Sequence, residues 1–151
     1  EETGTRQSIT ALLDRFKSET VFEAKCSSCG AWTERREKRS FTNAPKILMI
    51  QAKRFRYAST GVGGTVIQGG LSVEESLRWE DEQAGQTSHY RLRSCVVYWG
   101  DRPTGGHYVC LARDGEGWCV ADDSRVMPLS TQQAMDHAAG SYLLFYTKVG
   151  D

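Results

Sequence analysis

Apolar positions along the chain follow two rhythms. Ile9, Leu12, Leu13 and Phe16 recur at helical spacing behind Ser8, whose hydroxyl suits a helix N-cap, and predict one short helix ending near Lys17. Most of the remaining pattern reads as strand. Residues 20–25 are extended, residues 47–56 (ILMIQAKRFR) follow a strand-entry turn at Asn43-Ala44-Pro45, and from Ser88 onward Tyr90, Leu92 and Val96 alternate with polar residues. Residues 100–106 predict a turn, 106–113 the returning strand, 114–117 (DGEG) a hairpin loop and 117–121 the next strand. Residues 131–138 predict a second short helix, and 142–147 an apolar strand buried on both sides. Residues 59–70 hold five glycines and no sustained period, which predicts a mobile loop. Few helices among mainly antiparallel strands place the chain in the α+β class.

Chemistry concentrates in residues 105–126, GGHYVCLARDGEGWCVADDSRV. With 114–117 as a four-residue loop, Arg113 pairs with Trp118, Val109 lies opposite Asp122, and His107 lies opposite Ser124. Side chains alternate along a strand, so His107, Val109 and Asp122 share one face and Asp123 points to the other. Asp122 is then a diagonal neighbour of His107. A carboxylate beside an imidazole fixes its tautomer and stabilises its charged form, as an acid–base catalyst requires. The same spacing also suits a His and an Asp paired structurally on a sheet surface. Gly105 and Gly106 leave room for a substrate backbone. No nucleophile is in reach: Cys110 and Cys119 face the opposite side, and Cys95 lies in an apolar stretch of the neighbouring strand.

Composition narrows the setting. The chain has 151 residues, 39 % hydrophobic and 25 % charged, which excludes a disordered or collagen-like polymer. Its longest apolar runs fall far short of the roughly 20 residues of a membrane helix, and EETG at the start is no signal peptide. An odd count of five cysteines argues against a closed disulfide framework and for a reducing compartment. Cytoplasmic or nuclear residence is expected, with no membrane partner. Cys26 and Cys29, in CSSCG, have the spacing of a zinc-ribbon knuckle, although a structural zinc needs four ligands. The pair reads as a half-site completed elsewhere, a vestige or a redox pair, the last least favoured because no βαβ context surrounds it. Zero net charge conceals 12 Lys/Arg against 7 Asp/Glu in residues 1–60 and the reverse imbalance in 61–151. The basic run TERREKR (33–39) reads as a solvated strand or turn, so no nucleic-acid partner is expected. His89 and His137 read as surface residues, and Lys53-Arg54-Phe55 as a strand end with solvated basic groups.

Taken in order, SITALLDRF, CSSCG, PKILMIQAKRF, YRLRSCVVYWG, GGHYVCLARDGEGWCVADDSRV and SYLLFY resemble the ubiquitin-specific protease family over residues 8–147. The resemblance implies a papain-like cysteine protease palm, mainly antiparallel sheet with a β-fingers extension. Residues 1–151 would be the C-terminal portion of the catalytic domain, acting in deubiquitination at the C-terminal glycine of ubiquitin. His107 is implied as the general base, Asp122 as the residue that orients it, and Asp123 as a second acid near the oxyanion or a water. Trp99, Gly105, Gly106 and Tyr108 are implied as contacts of the ubiquitin tail, covered by the loop at 99–106. Cys26 and Cys29 match the second knuckle of the fingers zinc ribbon, so zinc is implied as a structural half-site and not for catalysis. The family's N-terminal Cys box and first knuckle are missing from these residues, and Tyr98 stands where a His is frequent. A fragment, a split enzyme completed by a second chain, and a protein without its nucleophile all fit. The implied partners are ubiquitin and an N-terminal Cys-box segment. The alternative is a catalytically inactive ubiquitin-binding or scaffold module of the same fold.

Overall fold

The computed structural model describes residues 6–57, 59, 63–67, 69–82 and 84–150. In chain order the elements are β1 (Gln7–Ser8), α1 (Ile9–Lys17), β2 (Thr20–Lys25), β3 (Trp32–Glu37), β4 (Ile47–Gln51), β5 (Phe55–Tyr57) and β6 (Gly64–Val66). They continue as β7 (Leu71–Ser72), β8 (Ser76–Asp81), β9 (Gln86–Trp99), β10 (His107–Asp114), β11 (Gly117–Asp122), β12 (Arg125–Leu129), α2 (Thr131–Ala138) and β13 (Ser141–Val149). The α+β reading holds. No helix among the described residues is long and apolar enough to cross a membrane.

The 14-residue β9 is the spine. Along one side β8 pairs with its first half and β10 with its second; along the other runs β13. The sheet order β12-β11-β10-β9-β13-β4 follows, all of it antiparallel. Alternation along β9 explains which face is buried: Tyr90 and Leu92 are inside, whereas Arg91 and Arg93 point to solvent. The core joins these residues to Val109, Leu111, Trp118 and Leu144, with Ile9 of α1 and Ala134 and Ala138 of α2 closing it. Both helices are capped, α1 as the sequence suggests. Ser8 accepts from the Ala11 amide at 3.0 Å, and Ser130 with Gln133 forms a capping box.

Several expectations change in detail. Residues 47–56 form two strands rather than one, because the chain breaks after Gln51 and turns Arg54 inward. Arg54 is therefore not a solvated strand end. It is 7 % exposed, and its guanidinium donates to the carbonyls of Ser141 (2.6 Å), Gly69 (3.2 Å), Ile67 (3.3 Å) and Ala139. A planar fork of five donors matches such a ring of carbonyls, and burial pushes its pKa down from the ordinary value. Residues 60–62 and 68 of the expected loop lie outside the described residues, but Gly64–Val66 forms β6 against β5. Strand β13 is buried on one face and half-buried on the other, since β4 beside it is an edge strand. Ile47 and Met49 of β4 are accordingly 62 % and 59 % exposed. Strands β8 and β12 had no counterpart in the sequence reading. The basic run lies on β3 with its charges out, where Arg36 meets Glu19 and Glu34, and Arg39 meets Glu37.

Arg54 ties the start of β5 to the segment that leaves β6 and to the one that leads into β13, so its loss strands several buried carbonyls at once. Arg54→Met should destabilise the chain by at least about 2 kcal/mol in urea unfolding, at an unchanged m-value.

Candidate active site

The hairpin of β10 and β11 turns on Gly115, at φ 59°, and Glu116. Asp114 pairs with Gly117, so the loop is two residues shorter than expected, while Arg113 still pairs with Trp118 as the spacing required. Continued past Cys110–Ala121, that register sets His107 diagonally from Asp122, and the two side chains meet. His107 Nε2 lies 2.5 Å from Asp122 Oδ1. An ionised carboxylate only accepts, so Nε2 carries the proton and Nδ1 holds the free lone pair. No hydrogen bond reaches Nδ1 among the described residues.

Asp123 departs from the expected alternation. Strand β11 ends at Asp122, which pairs with Arg125 across a two-residue turn, and Asp123 enters that turn at φ 49°. The left-handed backbone swings its carboxylate back toward the pair, so the ligand atoms of His107, Asp122 and Asp123 lie within 4.8 Å of one another. Ser124 lies in the same turn. The hydrogen bond from Asp122, and more weakly the charges of Asp122 and Asp123, raise the pKa of His107 above its ordinary value.

Of the other candidate residues, Trp99 lies beside this pair, Gly105 and Gly106 precede His107 in the chain, Tyr108 points to the opposite face of the sheet, and the two knuckle cysteines lie elsewhere. Trp99 pairs with His107 across β9 and β10, its ring 6.3 Å from the imidazole and 5.9 Å from that of His137 at the end of α2. Gly105 sits at φ 95° with open space where a side chain would be. Gly106 differs: a β-carbon there would stand 2.1 Å from the ring of Tyr98. Tyr108 is half-exposed, and its ring lies 4.9 Å from that of Tyr98, tilted at 55°. Burial and the neighbouring phenols raise its pKa. Cys26 and Cys29 lie at the tip of the β2–β3 hairpin. There the Gly30 amide, at φ 71°, donates to the Cys26 carbonyl at 2.9 Å. Backbone amides of Cys29 and Ser28 aimed at the Cys26 sulfur lower its pKa. This knuckle fits two corners of a tetrahedral thiolate site; no third metal-ligating side chain joins it among the described residues.

All five cysteines are free, and none sits as a nucleophile beside His107. Burial raises the pKa of Cys95 to about 11 and that of Cys110 above its ordinary value, opposite to what an attacking thiolate needs. Sequence reasoning missed Arg54 and the part played by Tyr98, whose only signal was its substitution for a frequent His.

The ubiquitin carboxyl-terminal hydrolase family model matches residues 2–146. The chain belongs to that family. Among curated relatives, probable ubiquitin carboxyl-terminal hydrolase 9 of Schizosaccharomyces pombe is 28 % identical over 93 % of this chain and 26 % of its own length. Ubiquitin carboxyl-terminal hydrolase 11 of the same yeast is also 28 % identical, over 92 % of this chain and 39 % of its own. Ubiquitin carboxyl-terminal hydrolase 16 of Arabidopsis thaliana is 27 % identical over 96 % of this chain and 15 % of its own. The chain thus spans well under half the length of these relatives. Among solved structures, the SAGA Ubp8/Sgf11/Sus1/Sgf73 DUB module bound to ubiquitin aldehyde superposes with a TM-score of 0.77 at 22 % identity, over 95 % of this chain and 34 % of that one. At that identity the likeness speaks for the fold: the strands and helices described above are arranged as in that module.

The direction of the His107 shift gives a test. Its imidazole should titrate above 6.5 by NMR, and Asp122→Asn should bring it down toward that value. Because the folded value is the higher one, the pair's contribution to stability is present below the unfolded pKa and fades as pH rises through the folded pKa.

Proposed function

We propose that this chain is the C-terminal, His-bearing portion of a cysteine-type deubiquitinase domain and supplies the base and the orienting acid of its triad. The observation that carries the reading is the 2.5 Å bond from His107 Nε2 to Asp122, which leaves Nδ1 unpartnered on a half-exposed surface. A cysteine brought to Nδ1 gives up its proton there and becomes a thiolate beside an imidazolium. The thiolate attacks the carbonyl of ubiquitin's terminal glycine, and Nδ1–H protonates the leaving amine. Water then hydrolyses the thioester with His107 again as base. Asp122 holds the tautomer throughout, and Asp123 adds negative charge or positions a water. Trp99, Gly105, Gly106 and Tyr108 line the approach of the tail.

The nucleophile comes, on this reading, from an N-terminal Cys-box segment. Two facts support it: no thiol accompanies the pair, and an apolar groove of about 340 Å³ between α1 and β4, lined by Leu12, Phe16, Ile50 and Trp79, is open to a further segment of the domain. Cys26 and Cys29 would hold a structural zinc together with two ligands from a first knuckle, stiffening a two-stranded hairpin that is otherwise exposed on both faces. Five free thiols favour the cytoplasm or nucleus.

Mixing this chain with the Cys-bearing N-terminal half of a relative should produce cleavage of a fluorogenic ubiquitin amide, and His107→Ala should abolish it. Asp122→Ala should cost less than the roughly 10⁴-fold seen when a serine triad loses its aspartate, because a thiolate–imidazolium pair needs less help. Cleavage that survives loss of His107 would overturn the assignment, and saturable ubiquitin binding without turnover would favour the inactive scaffold.

A further inference from the structure

Tyr98 is 7 % exposed and sits opposite Tyr108 at the end of β9. Its ring packs edge-on against Phe55 at 5.1 Å and against Tyr108 at 4.9 Å, so its direction is fixed. It points under the loop of residues 100–106, which joins β9 to β10 and delivers His107. There it touches the loop at its start, middle and end. A β-carbon on Gly100 would lie 2.9 Å from the ring and one on Gly106 only 2.1 Å, so both positions accept only glycine while the ring is in place. Between them the hydroxyl donates to the carbonyl of Arg102.

Among the described residues that bond is the one hydrogen bond the loop receives. Residues 100–106 form no turn bonds with one another, and Pro103 has no amide to give. Beyond Tyr98, the loop has the side of Pro103 resting against Gly64 of β6. A seven-residue loop so thinly tied pays a large entropy for any single conformation, and the loss of its one bond falls directly on that conformation.

We propose that Tyr98 is a positioning residue whose hydroxyl latches the 100–106 loop and thereby holds the covering strap over the ubiquitin tail. The tail part of this inference rests on the deubiquitinase reading above; the latch itself rests on the geometry. It also accounts for the sequence departure at this position, since the longer phenol spans from β9 to the Arg102 carbonyl.

Tyr98→Phe keeps the ring contacts and removes the hydroxyl, so it separates latch from packing. Backbone order parameters from NMR relaxation at residues 101, 102 and 104–106 should drop from about 0.85, the value of rigid backbone, toward about 0.6, with β9 and β10 unchanged. Ubiquitin should bind the variant about fivefold more weakly than the unaltered chain. Ubiquitin lacking its two terminal glycines should bind both alike, a contrast that a general loss of structure would not give. Unchanged order parameters in the loop overturn the latch. An equal loss with truncated ubiquitin overturns the role toward the tail. If the unaltered chain binds intact and truncated ubiquitin alike, the deubiquitinase reading of the tail site fails, and the order parameters still decide the latch.

Discussion

Register between β10 and β11 is the constraint on which the site depends. A slip of one residue would turn either His107 or Asp122 to the other face of the sheet and separate them. The pair cannot enforce its own register. Its side chains are 42 % and 33 % exposed, and an ion pair so open to water contributes little. Packing enforces it instead: Val109 and Leu111 on one strand and Trp118 and Val120 on the other all point into the core. Exposing each would cost on the order of 1.5–3 kcal/mol, so together they outweigh anything the His107–Asp122 pair contributes. Arg113 seals the hairpin from its closed end. Its guanidinium lies 4.8 Å from the Trp118 ring, bonds the Leu92 carbonyl at 3.1 Å and meets the Glu75 carboxylate.

This division of labour frees Asp122. Because stability comes from apolar residues two positions away, the carboxylate acts on the imidazole alone, fixing which nitrogen carries the proton. Arg54 has the converse duty. Buried among carbonyls, it holds the segment after β6 and the start of β13 against β5, and no carboxylate among the described residues pairs with it. Two charged residues that look alike in sequence as polar positions in or near strands thus serve opposite ends, one chemistry and the other architecture.

What the sequence disclosed was local and periodic. The hairpin register followed from counting outward from a turn, and the cap of α1 from Ser8. Side-chain alternation failed at Asp123 because alternation ends where the strand does, and a φ of 49° belongs to a turn that spacing alone cannot foresee. Arg54 was misread for a related reason. Nothing in KRF says that residues 67–69 and 139–141 will bring their carbonyls together around it. Strand β8 was legible in the alternation of Leu77 and Trp79 with Arg78 and Glu80, and was passed over beside the stronger pattern of β9. The part of Tyr98 could not be read at all, since it depends on two glycines whose emptiness matters only in three dimensions.

Half-exposure of the pair sets a further physical condition on the proposed chemistry. Thiolate–imidazolium catalysis works best with water excluded, and any segment that covers His107 also removes hydration from its charged form. Desolvation lowers an imidazole's pKa and would pull the proton off at neutral pH. Two carboxylates oppose that pull. Asp122 bonds Nε2 directly, and Asp123, turned back by its left-handed backbone, adds a second negative charge within 4.8 Å. On the open surface one acid already raises the imidazole's pKa. The second becomes useful once the site is covered, because the fields of both strengthen as the local dielectric falls. On the function proposed above, the tight turn at Asp123 serves a covered site, because it aims a second carboxylate at the imidazole that a covering segment would desolvate.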